Sequence, residues 1–200
     1  ADGTALVAWA PPARPAPEPA MDRTRSVARL SVEVHPALRL GGEDAVESVW
    51  DRVVTAVCAE ILGGAARVLE TTVEYAKDRV QFGRPIGSFQ AVKHRCADML
   101  VDVEGMRSAA YYAAWAVGAG DPDATAAASA AKVWCTEASR RVMASGLQVH
   151  GGIGFTWEHD LHLFVKRAQL DQVSYGDAPV HRERLAALLR PRAEAGLPVF

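Results

Sequence analysis

Two short segments contain side chains that could bind an anion. The first, here called the arginine segment (residues 75–90), includes Arg79, Gly83 and Pro85. It predicts the end of one helix, a turn, and a second helix whose first N–H groups have no partner within the helix. Free N–H groups and the helix dipole both favour negative charge, so such a place can bind a phosphate group. An ordinary turn between two helices has the same sequence features.

The second, here called the glycine segment (residues 148–155), contains the adjacent residues Gly151 and Gly152. Glycine has no side chain, so a ligand can approach the backbone closely there. The segment follows a predicted helix instead of a strand, and it lacks the third glycine of a dinucleotide-binding fingerprint. By itself it is weak evidence for a ligand site.

No metal site or disulfide framework is expected. His159 and His162 have helical spacing and could share a metal, but no third ligand is suitably spaced. The three cysteines, Cys58, Cys96 and Cys135, are far apart and form no Cys-x-x-Cys pair. They are expected to be reduced thiols that pack as small apolar side chains.

The elements that must position these segments are mainly helices. From Glu43 onwards the apolar residues recur with the helical period, and Ser88 and Asp121 are good residues to begin new helices. The pattern predicts an antiparallel four-helix bundle with short loops. The predicted helices span 43–79, 88–118, 121–150, 158–172 and 179–189.

The N-terminal part has a different character. Five prolines lie between positions 11 and 19, which predicts a loop. Strands are predicted over Ala5–Trp9 and Val27–Val34, but two strands do not form a stable sheet alone. The sequence therefore predicts a mainly α protein, in which a remnant of a β domain (residues 1–42) precedes the bundle (residues 43–200).

Composition excludes several classes of protein. The 22 basic and 24 acidic residues give a net charge of −2, so the basic footprint of a nucleic-acid-binding protein is absent. No apolar run is long enough to span a membrane, and no signal peptide is recognisable. We expect a cytoplasmic protein, and the initial Ala1 suggests a processed or truncated chain.

Taken together, the two segments resemble a known family. They contain the pattern Tyr-x-x-x-Arg-x-Gln-Phe-Gly-x-Pro-Ile, then Phe-Gln, and later Gln-x-x-Gly-Gly-x-Gly-Phe. This pattern resembles the C-terminal domain of the flavin-dependent acyl-CoA dehydrogenases. The resemblance covers about residues 27–189. It implies a four-helix bundle behind a middle β domain, subunits that form dimers or tetramers, and a longer full-length subunit with an N-terminal helical domain.

The resemblance also implies FAD as cofactor, bound across a subunit interface. It implies that Arg79, Gln81 and Phe82 contact the diphosphate and adenine of the FAD bound to a neighbouring subunit. Phe89 and Gln90 correspond to a second contact on the adenine side. Gln148, Gly151 and Gly152 correspond to a loop that approaches the same FAD. The residue types suit these roles, because a guanidinium binds a diphosphate well and glycine exposes backbone donors.

The position of the catalytic base differs from the family pattern. Family members commonly carry a glutamate in a Tyr-Glu-Gly-Thr loop, where this chain has Tyr175. A phenol is a poor base at neutral pH. Some relatives carry the base on the first bundle helix instead, at the position of Val53, beside a substrate-facing arginine at the position of Val54.

The two flavin-contacting residues that follow the glutamate in the family correspond here to Asp177 and Pro179. The resemblance therefore implies a subunit that has lost its own active site. The alternative is a different alignment with the family, which would place Asp51, Arg52 or Asp177 at the functional positions.

The favoured function is a helper subunit of an acyl-CoA dehydrogenase, which lends FAD contacts to a catalytic partner. Expected partners are an acyl-CoA substrate and other subunits of this type, and an electron-acceptor protein is a possible further one. The alternatives are a self-sufficient dehydrogenase with a non-standard base, and a non-enzymatic helical module for oligomerisation or acyl-CoA binding. Tyr175 and Val54 oppose the first alternative, and the intact FAD-contact residues oppose the second.

Overall fold

Five helices dominate the computed structural model of the chain, which describes residues 6–7, 15–30 and 39–198. The helices are α1 (Glu43–Asp78), α2 (Gln90–Ala119), α3 (Ala124–His150), α4 (Leu161–Val173) and α5 (Ala178–Glu194). Four short strands accompany them: β1 (Leu6–Val7), β2 (Arg39–Gly41), β3 (Val80–Gln81) and β4 (Arg84–Pro85). Short 3₁₀ helices follow β4 at Ile86–Ser88 and α3 at Gly151–Phe155.

The first three helices alternate in direction, and α3 contacts all the others. Asp51 near the start of α1 is hydrogen-bonded to Thr125 at the start of α3, so these two helices run the same way. The short connection after α1 reverses the chain, so α2 runs antiparallel to both of them. α4 runs opposite to α3, because Lys132 early in α3 is bonded to Asp171 in the last turn of α4. The predicted antiparallel bundle is confirmed.

The core lies between α1, α2 and α3. Small residues on α3 allow close packing, and at Gly105 of α2 an added Cβ would lie only 2.7 Å from Nε1 of Trp134. The predicted apolar stripe of α1 is buried from Val57 onwards, whereas Trp50 near the start of the helix stays 37% exposed.

Most helix bounds agree with the predicted ones, with four corrections. α3 begins at Ala124 instead of at Asp121, whose carboxylate accepts from the N–H of Asp123 in the turn before the helix. Ser88 lies in the 3₁₀ turn, and Phe89 occupies the position before α2. The helix predicted from residue 158 begins only at Leu161, because the residues before it form a turn. The last helix is longer than predicted and continues through Pro191 to Glu194.

The β part is small. β1 pairs with β2 antiparallel, so one predicted strand is present at Leu6–Val7. The strand predicted over Val27–Val34 is not formed in its described part: Val27 makes a single bridge to Glu18, and residues 28–30 are irregular. Residues 31–34 lie outside the described residues, as does the rest of Ala5–Trp9.

Ion pairs fasten the described residues 15–30 to the bundle. Asp22 pairs with Arg167 of α4 at 2.5 Å, and Arg25 pairs with Glu60 of α1 at 2.5 Å. All three cysteines are free. Among the helices that the structure describes, none combines the length and apolar character needed to cross a membrane.

Candidate functional site

The arginine segment folds as a tight hairpin at the end of α1. β3 and β4 pair antiparallel, and Phe82 and Gly83 form the two-residue turn between them. Both turn residues have positive φ, 55° and 76°, which is the geometry of a type I′ turn. Phenylalanine in this region is strained by about 1 kcal/mol. The turn presents the ring of Phe82 to the outside, 91% exposed.

The base of the hairpin is fixed to the last turn of α1. The N–H of Arg79 donates to the carbonyl of Tyr75 at 2.9 Å, and the N–H of Ile86 donates to the carbonyl of Arg79 at 2.8 Å. At Gly87 an added Cβ would lie 2.8 Å from the carbonyl oxygen of Ala76. These contacts leave the hairpin little freedom to move relative to the helix.

Two side chains of the hairpin are available to a ligand. The guanidinium of Arg79 is exposed and has no hydrogen bond or ion pair to the rest of the described chain. The exposed Phe82 ring packs edge to face with that of Phe89, with centroids 6.0 Å apart. In contrast, the guanidinium of Arg84 lies 4.1 Å from the ring of Phe89, and Gln81 Nε2 donates to the carbonyl of Val80.

The glycine segment begins where α3 ends. Gly151 has φ 63° and ψ −140°, a conformation that favours glycine. An added Cβ at Gly151 or Gly152 would meet no atom within 4 Å, so the space beside the backbone is open. Gln148 is exposed one turn earlier. The segment can therefore accept a ligand close to its backbone.

A ring stack joins the two segments. Tyr75 of α1 lies parallel to His150 of α3, with centroids 4.6 Å apart and planes inclined by 19°. The arginine segment and the glycine segment thus meet at one end of the bundle. His150 Nδ1 is 2.8 Å from the carbonyl of Gly146, and because a carbonyl only accepts, this nitrogen carries the proton. Burial lowers the pKa of His150 below its usual value.

Tyr175 lies toward the other end of the bundle, in the turn before α5. It and Gly176 both have positive φ, 56° and 89°, and the carbonyl of Tyr175 accepts a hydrogen bond from His181 Nε2 at 2.9 Å. The phenol ring contacts the edge of Trp50, with centroids 5.9 Å apart. The turn therefore presents a half-exposed phenol at this end of the bundle.

The carboxylates named by the alternative alignment have structural roles. Asp51 is buried, and its oxygens accept from Arg184 Nη1 at 2.8 Å and from Thr125 Oγ1 at 2.6 Å. Asp177 caps α5, because its Oδ1 accepts from the N–H of Val180 at 3.1 Å. Asp51 therefore serves the packing of three helices, and Asp177 stabilises the start of α5 through one of its oxygens.

The other altered positions differ in burial. Val54 has no exposed surface and belongs to the core, while Val53 beside it is half-buried. Pro179 lies in the first turn of α5, where proline is well tolerated. Arg52 is exposed on α1.

His159 and His162, which have the spacing of metal ligands, make other contacts. His159 Nδ1 accepts from the N–H of Leu161 at 3.1 Å, and the His162 ring lies 4.6 Å from that of Trp157. No group of three potential metal ligands occurs within the described ranges.

Sequence reasoning missed two buried ionisable residues, Lys132 and Asp171, behind the Tyr175 turn. Lys132 is fully buried, and its Nζ donates to the carbonyls of Asp171 at 2.5 Å and Gln172 at 3.4 Å. Burial lowers the pKa of Lys132. Desolvation, followed by repulsion from Glu60, raises the pKa of Asp171 to about 6. A single lysine on an alanine-rich helix carries no local signal of burial.

Comparison with known proteins decides the family. The family model described as acyl-CoA dehydrogenase, C-terminal domain, matches residues 42–189. The chain belongs to the acyl-CoA dehydrogenase family. The expected family and mainly helical fold are thereby confirmed.

Individual relatives agree with this result. Acyl-CoA dehydrogenase IpdE2 of Mycolicibacterium smegmatis is 42% identical over 84% of this chain and 50% of its own length. The ChsE4–ChsE5 complex from Mycobacterium tuberculosis has a TM-score of 0.79 at 32% identity, covering 94% of this chain and 50% of that one. A structure described as PigA with FAD and proline has a TM-score of 0.74 at 29% identity, covering 84% of this chain and 44% of that one. The chain spans about half the length of the curated relatives that it matches.

Proposed function

We propose that this chain is a helper subunit in an FAD-dependent acyl-CoA dehydrogenase, which oxidises an acyl-CoA thioester between its α and β carbons. The observation that carries the proposal is the junction of the arginine and glycine segments at Tyr75 and His150. It offers a free guanidinium and an exposed ring at one end of the bundle. The position of the base, toward the other end, holds only Tyr175.

The residues present fit FAD. The planar cation of Arg79 suits a diphosphate, and the exposed ring of Phe82 suits the adenine face. The open space beside Gly151 and Gly152 permits close approach of the backbone. Gln81, Phe89, Gln90 and Gln148 complete the proposed contacts. In this family the bound flavin accepts the hydride that leaves the β carbon of the acyl chain.

The catalytic carboxylate is proposed to come from a different subunit. Asp51 pairs with Arg184 in a partly buried ion pair, Asp177 caps α5, and Val54 belongs to the core. The similarity to a complex that pairs ChsE4 with ChsE5 supports an assembly of related, non-identical subunits. In such an assembly this chain binds FAD from one side and the partner removes the α proton.

We further propose that residues 1–42 are the end of a middle β domain and residues 43–200 the bundle domain. The pairing of β1 with β2 immediately before α1 supports this division.

The test is FAD retention by the purified native complex that contains this chain. A charge-assisted hydrogen bond contributes about 1.5–3 kcal/mol, so Arg79→Ala should weaken FAD binding roughly ten- to a hundredfold. Arg190→Ala, which removes an exposed arginine on α5, is the matched control and should bind FAD as the wild type does. Unchanged FAD affinity in Arg79→Ala would contradict the proposed function.

A further inference from the structure

His150 is the residue through which the two proposed FAD-contacting segments touch. It is 3% exposed, and its ring is stacked on Tyr75, one turn before Arg79. The glycine segment folds back onto it, since an added Cβ at Gly154 would lie 3.1 Å from His150 Cβ. A change in the position of this ring is therefore transmitted to both segments.

The ring is held in one protonation state. Nδ1 donates to the carbonyl of Gly146, and Nε2 is buried with no hydrogen-bond partner in the described structure. A proton on Nε2 would be a buried charge without an acceptor, which is costly. Its burial and the nearby His159 both lower the pKa of His150.

Apart from the carbonyl of Gly146, which favours the protonated ring, the groups around the ring offer little compensation for a positive charge. From α1 the ring is faced by the phenol of Tyr75, and from the residues before α4 by the imidazole of His159, with centroids 4.7 Å apart. The glycine segment contributes Gly154, which has no charge. No carboxylate contacts the ring in the part of the chain that is described.

We propose that His150 is a positioning residue that aligns the arginine and glycine segments for FAD, and that it does so only with a neutral ring. The inference rests on the proposed function, because it concerns the same FAD contacts. Protonation of His150 would separate its ring from Tyr75 and His159 and misalign Arg79 relative to Gly151.

The sign of the pH dependence follows from the lowered pKa. The aligned form disfavours the proton, so the binding-competent state is fully populated above the ordinary histidine pKa of 6.5 and is lost as the pH falls below it. FAD affinity of the complex should therefore decrease on mild acidification.

The experiment measures FAD binding by flavin fluorescence in the purified native complex. Between about pH 7.5 and about pH 5.5, wild-type affinity should fall about tenfold, the equivalent of one misaligned hydrogen bond. His150→Phe keeps a ring against Tyr75 but cannot be protonated. It should bind FAD within about threefold of wild type at neutral pH and show no loss in acid.

Three further variants make the test specific. His150→Gln can still donate to Gly146 and cannot be charged, so it should also lose the acid-dependent step. Tyr75→Ala removes the stack and should weaken FAD binding about tenfold at both pH values. His162→Phe, at a half-buried histidine on α4, should keep the wild-type pH profile.

Persistence of the acid-dependent step in both His150→Phe and His150→Gln would overturn the inference, as would wild-type binding by Tyr75→Ala. Arg79→Ala separates this failure from failure of the proposed function. If Arg79→Ala weakens FAD binding while the His150 and Tyr75 variants do not, only the positioning role is wrong. If Arg79→Ala binds normally, the FAD contacts themselves are wrong.

Discussion

Asp51 on α1 and Arg184 on α5 form a partly buried ion pair, with Oδ1 and Nη1 2.8 Å apart. Thr125 of α3 donates to the other carboxylate oxygen, so one aspartate links three helices. The pair lies close to Tyr175, since the Tyr175 ring touches Trp50, the residue before Asp51. A carboxylate that sequence alignment could have taken for a displaced base is thus part of the framework.

Removing this carboxylate charge should destabilise the fold. Asp51→Asn removes the carboxylate charge that faces Arg184. Because this guanidinium is partly exposed and also pairs with Glu47, we expect a loss of about 1.5–3 kcal/mol, the contribution of a hydrogen bond to a charged group. Thermal unfolding measures the loss. Glu47→Gln, which removes the exposed partner of the same arginine, is the control and should cost less than about 1 kcal/mol. Equal losses of unfolding free energy in Asp51→Asn and Glu47→Gln would contradict this prediction.

Substitution of Phe82 in the strained turn should change stability and FAD binding in opposite directions. Asn-Gly is the preferred pair for a type I′ turn, so Phe82→Asn should raise the free energy of unfolding by about 1 kcal/mol. The same variant lacks the exposed ring and should weaken FAD binding by the complex. Phe82→Tyr keeps the ring and the strain, so it should change neither quantity. Chemical denaturation and flavin fluorescence measure the two effects, and a Phe82→Asn variant with full FAD affinity would contradict this prediction.

Asp171 should make stability depend on pH in an unusual direction. Its pKa is about 6 in the fold and 3.8 ordinarily, so the folded protein binds this proton more tightly than the unfolded chain does. The contribution of Asp171 to stability is greatest below pH 3.8 and declines as the pH rises towards 6.

Asp171→Asn stays uncharged at all these pH values. Relative to wild type it should therefore gain up to about 3 kcal/mol in unfolding free energy between about pH 4 and about pH 7.5. Unfolding midpoints measured across this range test the prediction, with the exposed Asp98→Asn as control. A stability difference between variant and wild type that does not change with pH would contradict it.

The hydroxyl of Tyr175 should be dispensable for turnover. Only the backbone carbonyl and the ring of this residue make contacts in the described structure, to His181 and Trp50. Tyr175→Phe keeps both, so acyl-CoA oxidation by the complex should continue at nearly the wild-type rate. The rate is measured with an artificial electron acceptor.

Tyr175→Glu is the complementary variant. It should not create a second active site, because Val54, Asp177 and Pro179 keep their structural roles. Loss of turnover in Tyr175→Phe with FAD still bound would assign Tyr175 a direct catalytic role and contradict the helper-subunit proposal.

The sequence by itself determined the helices and the location of the two segments that we propose contact FAD. Helical periodicity and glycine stops are local properties, so α1, α2 and α3 lie within a few residues of their predicted bounds. The family motifs are local as well, which is why Arg79, Phe82 and Gly151 could be named as candidate contacts before any packing was known.

Only the tertiary structure decided which of the polar residues are available for chemistry. Asp51 is bonded to residues 74 and 133 positions further along the chain, and Lys132 to a carbonyl 39 positions away. Burial and pairing of this kind depend on which faces of separate helices meet, because a helix that packs on several sides has no single apolar stripe to mark its buried face. The contact between Tyr75 and His150 has the same origin: residues far apart in sequence are brought together by two helices that run in the same direction.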